Sequence, residues 1–176
     1  MLQGVSSKKL PNAGKTRTVS AIIPVFNEEK SILNTLVKSE RFLRRYRRRE
    51  IIVVNDGSTD NTGNILKEFS KRHKNIVVVK HEKNMGVGAG LRTGLRVARG
   101  EIILTMDSDL TYPLEYVPRM ITALDENNAD IVIASPFAKG GDSSQIPFLR
   151  KVLSYGANLL DRIVFGFDFT APSCIF

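Results

Sequence analysis

Five short runs of β-branched residues recur along the chain: TVSAIIPVF (18–26), EIIVVND (50–56), NIVVVKH (75–81), EIILTMD (101–107) and DIVIASPF (130–137). Between them lie segments with helical spacing, clearest after the fourth run, where Val117, Met120, Ile121 and Leu124 fall at i, i+3, i+4 and i+7. Near-continuous Val/Ile runs joined by helices predict parallel strands buried on both faces, so the expected fold class is α/β, a doubly wound and mostly parallel sheet. Right-handed crossovers then gather the C-terminal ends of the strands along one edge, where ligands of such sheets bind.

Composition agrees with a domain of this kind. The chain has 176 residues, 42% of them hydrophobic and 25% charged, and at this length folding removes roughly 70% of the unfolded surface from water without disulfides or structural metal. The single cysteine, Cys174, excludes a disulfide scaffold and suits a reducing compartment. No apolar run approaches the roughly 20 residues of a membrane span, and MLQGVSSKKLPNAGKTR lacks the apolar centre of a signal peptide. Residues 1–17 are expected to form a flexible basic tail and residues 18–176 one domain.

The net charge of +8 is local: residues 1–50 hold 12 Lys/Arg and 4 Asp/Glu, while residues 51–176 hold 14 of each. Its densest part is RFLRRYRRRE (41–50). Placed on a helix, this run would pack Phe42, Leu43 and Tyr46 inward and keep its arginines in water or against an anionic surface.

The strand ends carry more than a core requires. The first delivers Glu28, the second Asp56 and Asp60, and the fourth Asp107 and Asp109. Three acidic loops on one edge would repel one another if empty, which predicts a cation or hydrogen-bonding ligand between them. For each loop taken singly, local roles compete: Asp60 or Ser58 could cap the following helix, and NDGS suits a turn. Asp107-Ser108-Asp109 directs two carboxylates to one place, suited to a hard cation, Mg²⁺ or Mn²⁺, completed by substrate phosphates.

TVSAIIPVFNEE, EIIVVNDGSTDNT and NMGVGAGLRTGLRVARGEIILTMDSDLTYP, in that order and spacing, resemble the inverting nucleotide-sugar glycosyltransferases of the GT-A fold. The resemblance is closest to the polyprenyl-phosphate glycosyltransferases, dolichol-phosphate mannosyltransferases among them, and runs from about Thr18 to the chain end. It implies that Pro24, Phe26, Glu28, Val54 and Asp56 hold the base and ribose of a GDP- or UDP-linked sugar. It implies further that Asp107, Ser108 and Asp109 form the metal and diphosphate site, and that Arg150 contacts donor phosphate or acceptor. A lipid-phosphate acceptor is already ionised at neutral pH and needs no strong general base. His73 and His81, at a helix end and a strand end, are accordingly expected to be surface residues away from the acidic loops.

Departures from the resembled pattern bear on the sugar. Ser135-Pro136-Phe137 stands where these mannosyltransferases have Ser-Arg-Tyr, Thr111 where Gln is frequent, and Asp142 where Lys is common; the chain also stops at FTAPSCIF, inside what the resemblance implies is the catalytic domain. Competing readings are weaker. An oxidoreductase is disfavoured because Gly86-Val87-Gly88-Ala89-Gly90 lacks the last glycine of the dinucleotide fingerprint, with Leu91 or Thr93 in its place. A nucleic-acid-binding module would need its charge spread beyond one third of the chain, so no nucleic-acid partner is expected. A GT-A-like nucleotidyltransferase and a basic nucleic-acid-binding module are the alternatives kept. Leu149, Leu153, Leu160 and Val164, followed by Phe165, Phe167 and Phe169, suggest either core packing or an interfacial helix bringing a lipid phosphate to Arg150. In the second case the arginines would hold the domain to the cytoplasmic face of a membrane.

Overall fold

The computed structural model describes residues 17–110, 112–135 and 156. The chain divides into two units, Met1–Thr122 and Ala123–Phe176. The first unit is built on a four-stranded parallel sheet of β1 (Thr18–Val25), β2 (Arg48–Asn55), β3 (Ile76–Lys80) and β4 (Ile102–Thr105), in the spatial order β3-β2-β1-β4. Helices α1 (Ile32–Leu43), α2 (Thr62–Arg72) and α3 (Val87–Val97) make the crossovers, and α4 (Val117–Glu126) follows β4.

Strand periodicity divides the core in two. Val19, Ala21, Ile23 and Val25 of β1 point to one face with Ile51 and Val53 of β2, where Ile32, Leu36 and Leu43 of α1, Leu66 of α2 and Val117 and Ile121 cover them. Ile22, Ile52 and Val54 point to the other face, against Leu91 and Val97 of α3. Close approach of α3 depends on Gly94, where a Cβ would lie 2.3 Å from Ile22 Cγ2.

Three expectations are corrected. The arginine run is not helical throughout: α1 stops at Leu43, the chain turns through residues 44–47, and Arg48 and Arg49 enter β2 opposite Thr18 and Val19. Ladder pairing with β1 overrides the local helical spacing there, although Phe42, Leu43 and Tyr46 are buried as expected. The Arg45 guanidinium lies 4.0 Å from the Phe42 ring centroid, a cation–π contact. Second, residues 130–135 of the fifth run carry no strand, and Ile131 is 70% exposed. A strand exists only where a neighbouring edge takes up its N–H and C=O groups, and no such pairing reaches these residues among those described. Third, His81 is not an isolated surface residue, as its contacts with the site show below. In the second unit α4 closes on Asn128, whose φ is +46°, with Ala129 N–H donating to Leu124 O at 3.0 Å, an αL helix end. The tail at 1–16, the residues Thr111, Pro136, Asp142 and Arg150, and the apolar stretch at 149–169 apart from Gly156 lie outside the described residues.

Candidate active site at the strand ends

β1 is central, and the chain fills β2 and β3 on one side of it before crossing to β4 on the other. Its C-terminal end is therefore the switch point of the sheet, where a crevice opens between loops leaving in opposite directions. Pro24 sharpens this opening. Ile22 O accepts from Met106 N–H at 3.0 Å; Pro24, two residues on and turned to the same neighbour, has no N–H with which to continue the ladder. Pairing with β4 ends there, and the chain leaves the sheet at Asp107.

The loops after β1 and β2 are joined by a reciprocal set of hydrogen bonds. Asn27 N–H donates to Ser58 Oγ (3.0 Å), Glu28 N–H to Thr62 Oγ1 (2.8 Å) and Glu29 N–H to Asp60 Oδ2 (3.1 Å), while Thr59 N–H returns a bond to Asn27 Oδ1 (2.8 Å) and Asn61 N–H one to Glu29 Oε2 (3.0 Å). Asp60 Oδ1 also accepts from Thr62 N–H at 3.0 Å, at the start of α2. Desolvation of Asp60 raises its carboxyl, but the Thr62 side chain and the Thr62 and Glu29 amides together outweigh this and hold it below its ordinary value. The Glu28 carboxylate is engaged by the Ser31 hydroxyl at the start of α1. The N-terminal ends of α1 and α2 follow these loops and bring partial positive charge toward them.

Asp56, 4% exposed, is compensated more completely. Its Oδ1 lies 2.6 Å from His81 Nδ1 and accepts from Met85 N–H at 3.0 Å; its Oδ2 accepts from Gly86 N–H at 2.8 Å. Burial alone would raise this carboxyl, but the bonds from His81, Met85 and Gly86 and the His81 charge hold it below its ordinary value. Gly57 lets the next loop close on this cluster. Its φ is +72°, and a Cβ there would stand 2.4 Å from the Lys83 carbonyl carbon.

The β4 end differs. Burial, then the negative charge of Asp109, raise the Asp107 carboxyl above its ordinary value. The turn is tight, with Leu110 at φ +57° and its N–H donating to Asp107 O at 3.4 Å. Thr35 of α1, 1% exposed, holds it from beneath by donating its hydroxyl to Ser108 O at 2.5 Å. Asp107 is partly buried and Asp109 exposed. Among the described residues no third carboxylate, histidine or cysteine joins them in a metal-sized group.

The sheet edge thus gathers Pro24, Phe26 (42% exposed), Glu28, Asp56, Asp107, Ser108 and Asp109. Val54 is fully buried near the end of β2, on the sheet face that α3 covers, where strand alternation directs it. The first two acidic loops have hydrogen-bond partners of their own, and in the third the charge of Asp109 acts on Asp107. Two contributors were not anticipated. Thr35 was legible only as a polar residue on the buried face of α1. His81 was legible only as the residue ending the third run, with nothing in its neighbourhood to name Asp56, 25 positions away.

The arginine turn lies at the other edge. β2 carries the chain from Arg48 to Asn55, about 23 Å at 3.3 Å per residue, so these arginines stand at the edge opposite the carboxylates. Basic last turns of α1 (Arg41), α2 (Lys71, Arg72) and α3 (Arg96) end at the same edge, where they suit the helix dipoles.

Comparison with known proteins agrees with this geometry. The glycosyl transferase family 2 model matches residues 20–173. The chain is 34% identical over 145 residues to a dolichol-phosphate mannosyltransferase of Pyrococcus furiosus, covering 82% of this chain and 40% of the relative. It is 33% identical over 153 residues to a dolichyl-phosphate β-glucosyltransferase of Trichomonas vaginalis, covering 81% and 47%. It spans less than half the length of these two curated relatives. Among solved structures, a mannosyltransferase from Pyrobaculum calidifontis in complex with GDP-Man and Mn²⁺ superposes with a TM-score of 0.55 at 26% identity, over 62% of this chain and 32% of that one. A parallel sheet with its acidic edge at the switch point, matched over nearly its whole length by one family model, places the chain in glycosyl transferase family 2.

Proposed function

We propose that this chain carries the donor site of an inverting, metal-assisted hexosyltransferase, which moves a sugar from a GDP- or UDP-linked donor to a polyprenyl phosphate at the cytoplasmic face of a membrane. The observation that carries the reading is the Asp107–Asp109 pair: two carboxylates at the switch point, one of them raised by burial and by its neighbour's charge. Such a pair fits a hard divalent cation, Mg²⁺ or Mn²⁺, because a cation removes both the repulsion and the desolvation cost that raise Asp107. With no third protein carboxylate beside them among the described residues, diphosphate oxygens and water would complete the shell. The bound ion would neutralise charge on the departing nucleoside diphosphate. A dolichol-phosphate acceptor, named in both relatives, supports a lipid phosphate as nucleophile.

The chain's own residues divide the remaining work. Phe26, exposed beside the end of β1, offers an apolar face to a base. Asp56 accepts three hydrogen bonds and, with about four acceptor directions on a carboxylate, keeps one for a base or ribose donor. Thr35 holds Ser108 and so sets the turn that aims Asp107 and Asp109. An ionised acceptor phosphate needs no strong general base, in keeping with the engagement of both histidines by carboxylates, His73 with Glu40 at 3.0 Å and His81 with Asp56 at 2.6 Å. Arg150, in PFLRK, would contact donor phosphate or acceptor, a role supported by the resemblance alone.

Calorimetry with GDP and UDP, with and without Mn²⁺ or Mg²⁺, tests the reading. Asp109→Ala and Asp107→Asn should each cut the metal-dependent gain in affinity about tenfold or more, the loss of one charged ligand interaction. Undiminished metal-dependent affinity in both variants overturns it. In turnover assays release of a nucleoside diphosphate is expected, whereas pyrophosphate would identify a nucleotidyltransferase.

A further inference from the structure

His81 follows the last residue of β3, and its backbone N–H donates to Asn55 O at 2.9 Å, which ties its main chain to the end of β2. Its ring then bridges two elements. Nδ1 meets Asp56 Oδ1 at 2.6 Å and Nε2 meets Thr93 Oγ1 of α3 at 2.9 Å, with 11% of the side chain exposed. An ionised carboxylate only accepts, so Nδ1 carries the proton, and in the neutral ring Nε2 accepts from the Thr93 hydroxyl. Asp56 in turn holds the Met85 and Gly86 amides ahead of α3. Thr93, His81, Asp56 and Gly86 therefore form one continuous path from the body of α3 across the end of β2 to the loop that starts α3. We propose that His81 is a positioning residue for the nucleoside half of the donor site: by fixing the Asp56 carboxylate against α3, it sets where the remaining acceptor direction of Asp56 and the Met85–Gly86 loop stand, and hence the affinity for the donor's nucleoside.

The inference rests on the donor-binding reading above, and the link that matters is the one from Nδ1. Asparagine places its amide nitrogen as far along the side chain as Nδ1, and glutamine as far as Nε2. His81→Asn thus keeps a donor to Asp56 and gives up Thr93, while His81→Gln does the reverse and His81→Phe loses both. GDP and UDP binding at saturating Mn²⁺ should weaken about tenfold in His81→Phe and His81→Gln, as for loss of a bond to a charged group, and stay within about threefold of wild type in His81→Asn. The ratio of affinities with and without Mn²⁺ should not change in any of them, because the metal pair belongs to another loop. Equal affinity in all four proteins, or equal loss in the Asn and Gln variants, overturns the proposal. Circular dichroism and melting temperature identify a variant that has not folded; if the Phe variant fails, the Asn and Gln pair decides.

Amide hydrogen exchange at Met85 and Gly86 without ligand reads the same path independently of nucleotide. Exchange should quicken in the Gln and Phe variants and match wild type in His81→Asn; unchanged exchange in Phe and Gln also overturns the proposal. If wild type binds neither GDP nor UDP, the donor reading fails and takes the affinity role of His81 with it. The exchange result then still decides whether His81 positions Asp56 and the loop.

Discussion

Asp56 shows how one buried charge organises a loop. Its folded-state pKa lies below the unfolded value of about 3.9, so its stabilisation is present above that value and is lost as pH falls through the folded-state pKa. Melting temperature followed from pH 6 down to pH 3 should therefore fall more steeply for wild type than for Asp56→Asn, which has no proton to take up at this site. Thr35 acts from the other side of the site through one hydroxyl. Thr35→Val keeps the shape and removes the donor to Ser108 O, at a cost of about 1 kcal/mol in stability. Metal-dependent nucleotide affinity should drop severalfold with it, checked by urea denaturation and calorimetry on the same variant. Neither contact could be read from local sequence: Thr35 and Ser108 are 73 positions apart, and nothing near either one names the other.

At the scale of elements, the close seat of α3 on β1 controls where the Met85–Gly86 loop begins. Gly94→Ala would gain about 1 kcal/mol of helix propensity, yet its Cβ falls 2.3 Å from Ile22 Cγ2, and overpacking of that kind costs about 1–3 kcal/mol. Net destabilisation is expected in urea denaturation. Adding Ile22→Ala should recover part of the clash while introducing its own cavity, a coupling that a double-mutant cycle isolates. The contact that Gly94 makes with Ile22 follows from how α3 seats on the sheet, which no local pattern states. The arginine run shows the opposite failure. Its apolar positions obey helical spacing, but β1–β2 pairing draws Arg48 and Arg49 into a ladder, and ladder bonds between distant residues do not appear in a local period.

For the first unit as a whole, the consequence is polarity: carboxylates and helix N-termini at one edge of the sheet, arginines and helix C-termini at the other. A membrane held by Arg47 and Arg48 would meet the edge remote from the donor site, so that contact does not itself bring a lipid phosphate to Asp107. Replacing both with Ser should weaken binding to anionic vesicles at low salt by roughly thirtyfold, at about 1 kcal/mol for each basic residue. GDP and UDP affinity should be unchanged. Co-sedimentation and calorimetry on the one variant separate the two edges, and a fall in nucleotide affinity would contradict their independence.

The sequence by itself determined the alternation of strand and helix, the parallel sheet, and the arrival of Glu28, Asp56, Asp60, Asp107 and Asp109 at strand ends, because period and apolar run length are local properties of the chain. Only the tertiary structure decided which of those charges are already answered. Asp60 is engaged by the loop after β1, Glu28 by Ser31, and Asp56 by His81 and two amides, whereas among the described residues Asp107 meets only burial and the charge of Asp109. Most of those partners lie 25 or more positions away. They meet only because parallel ladders bring the strand ends to one edge, where a carboxylate's state depends on the donors within reach.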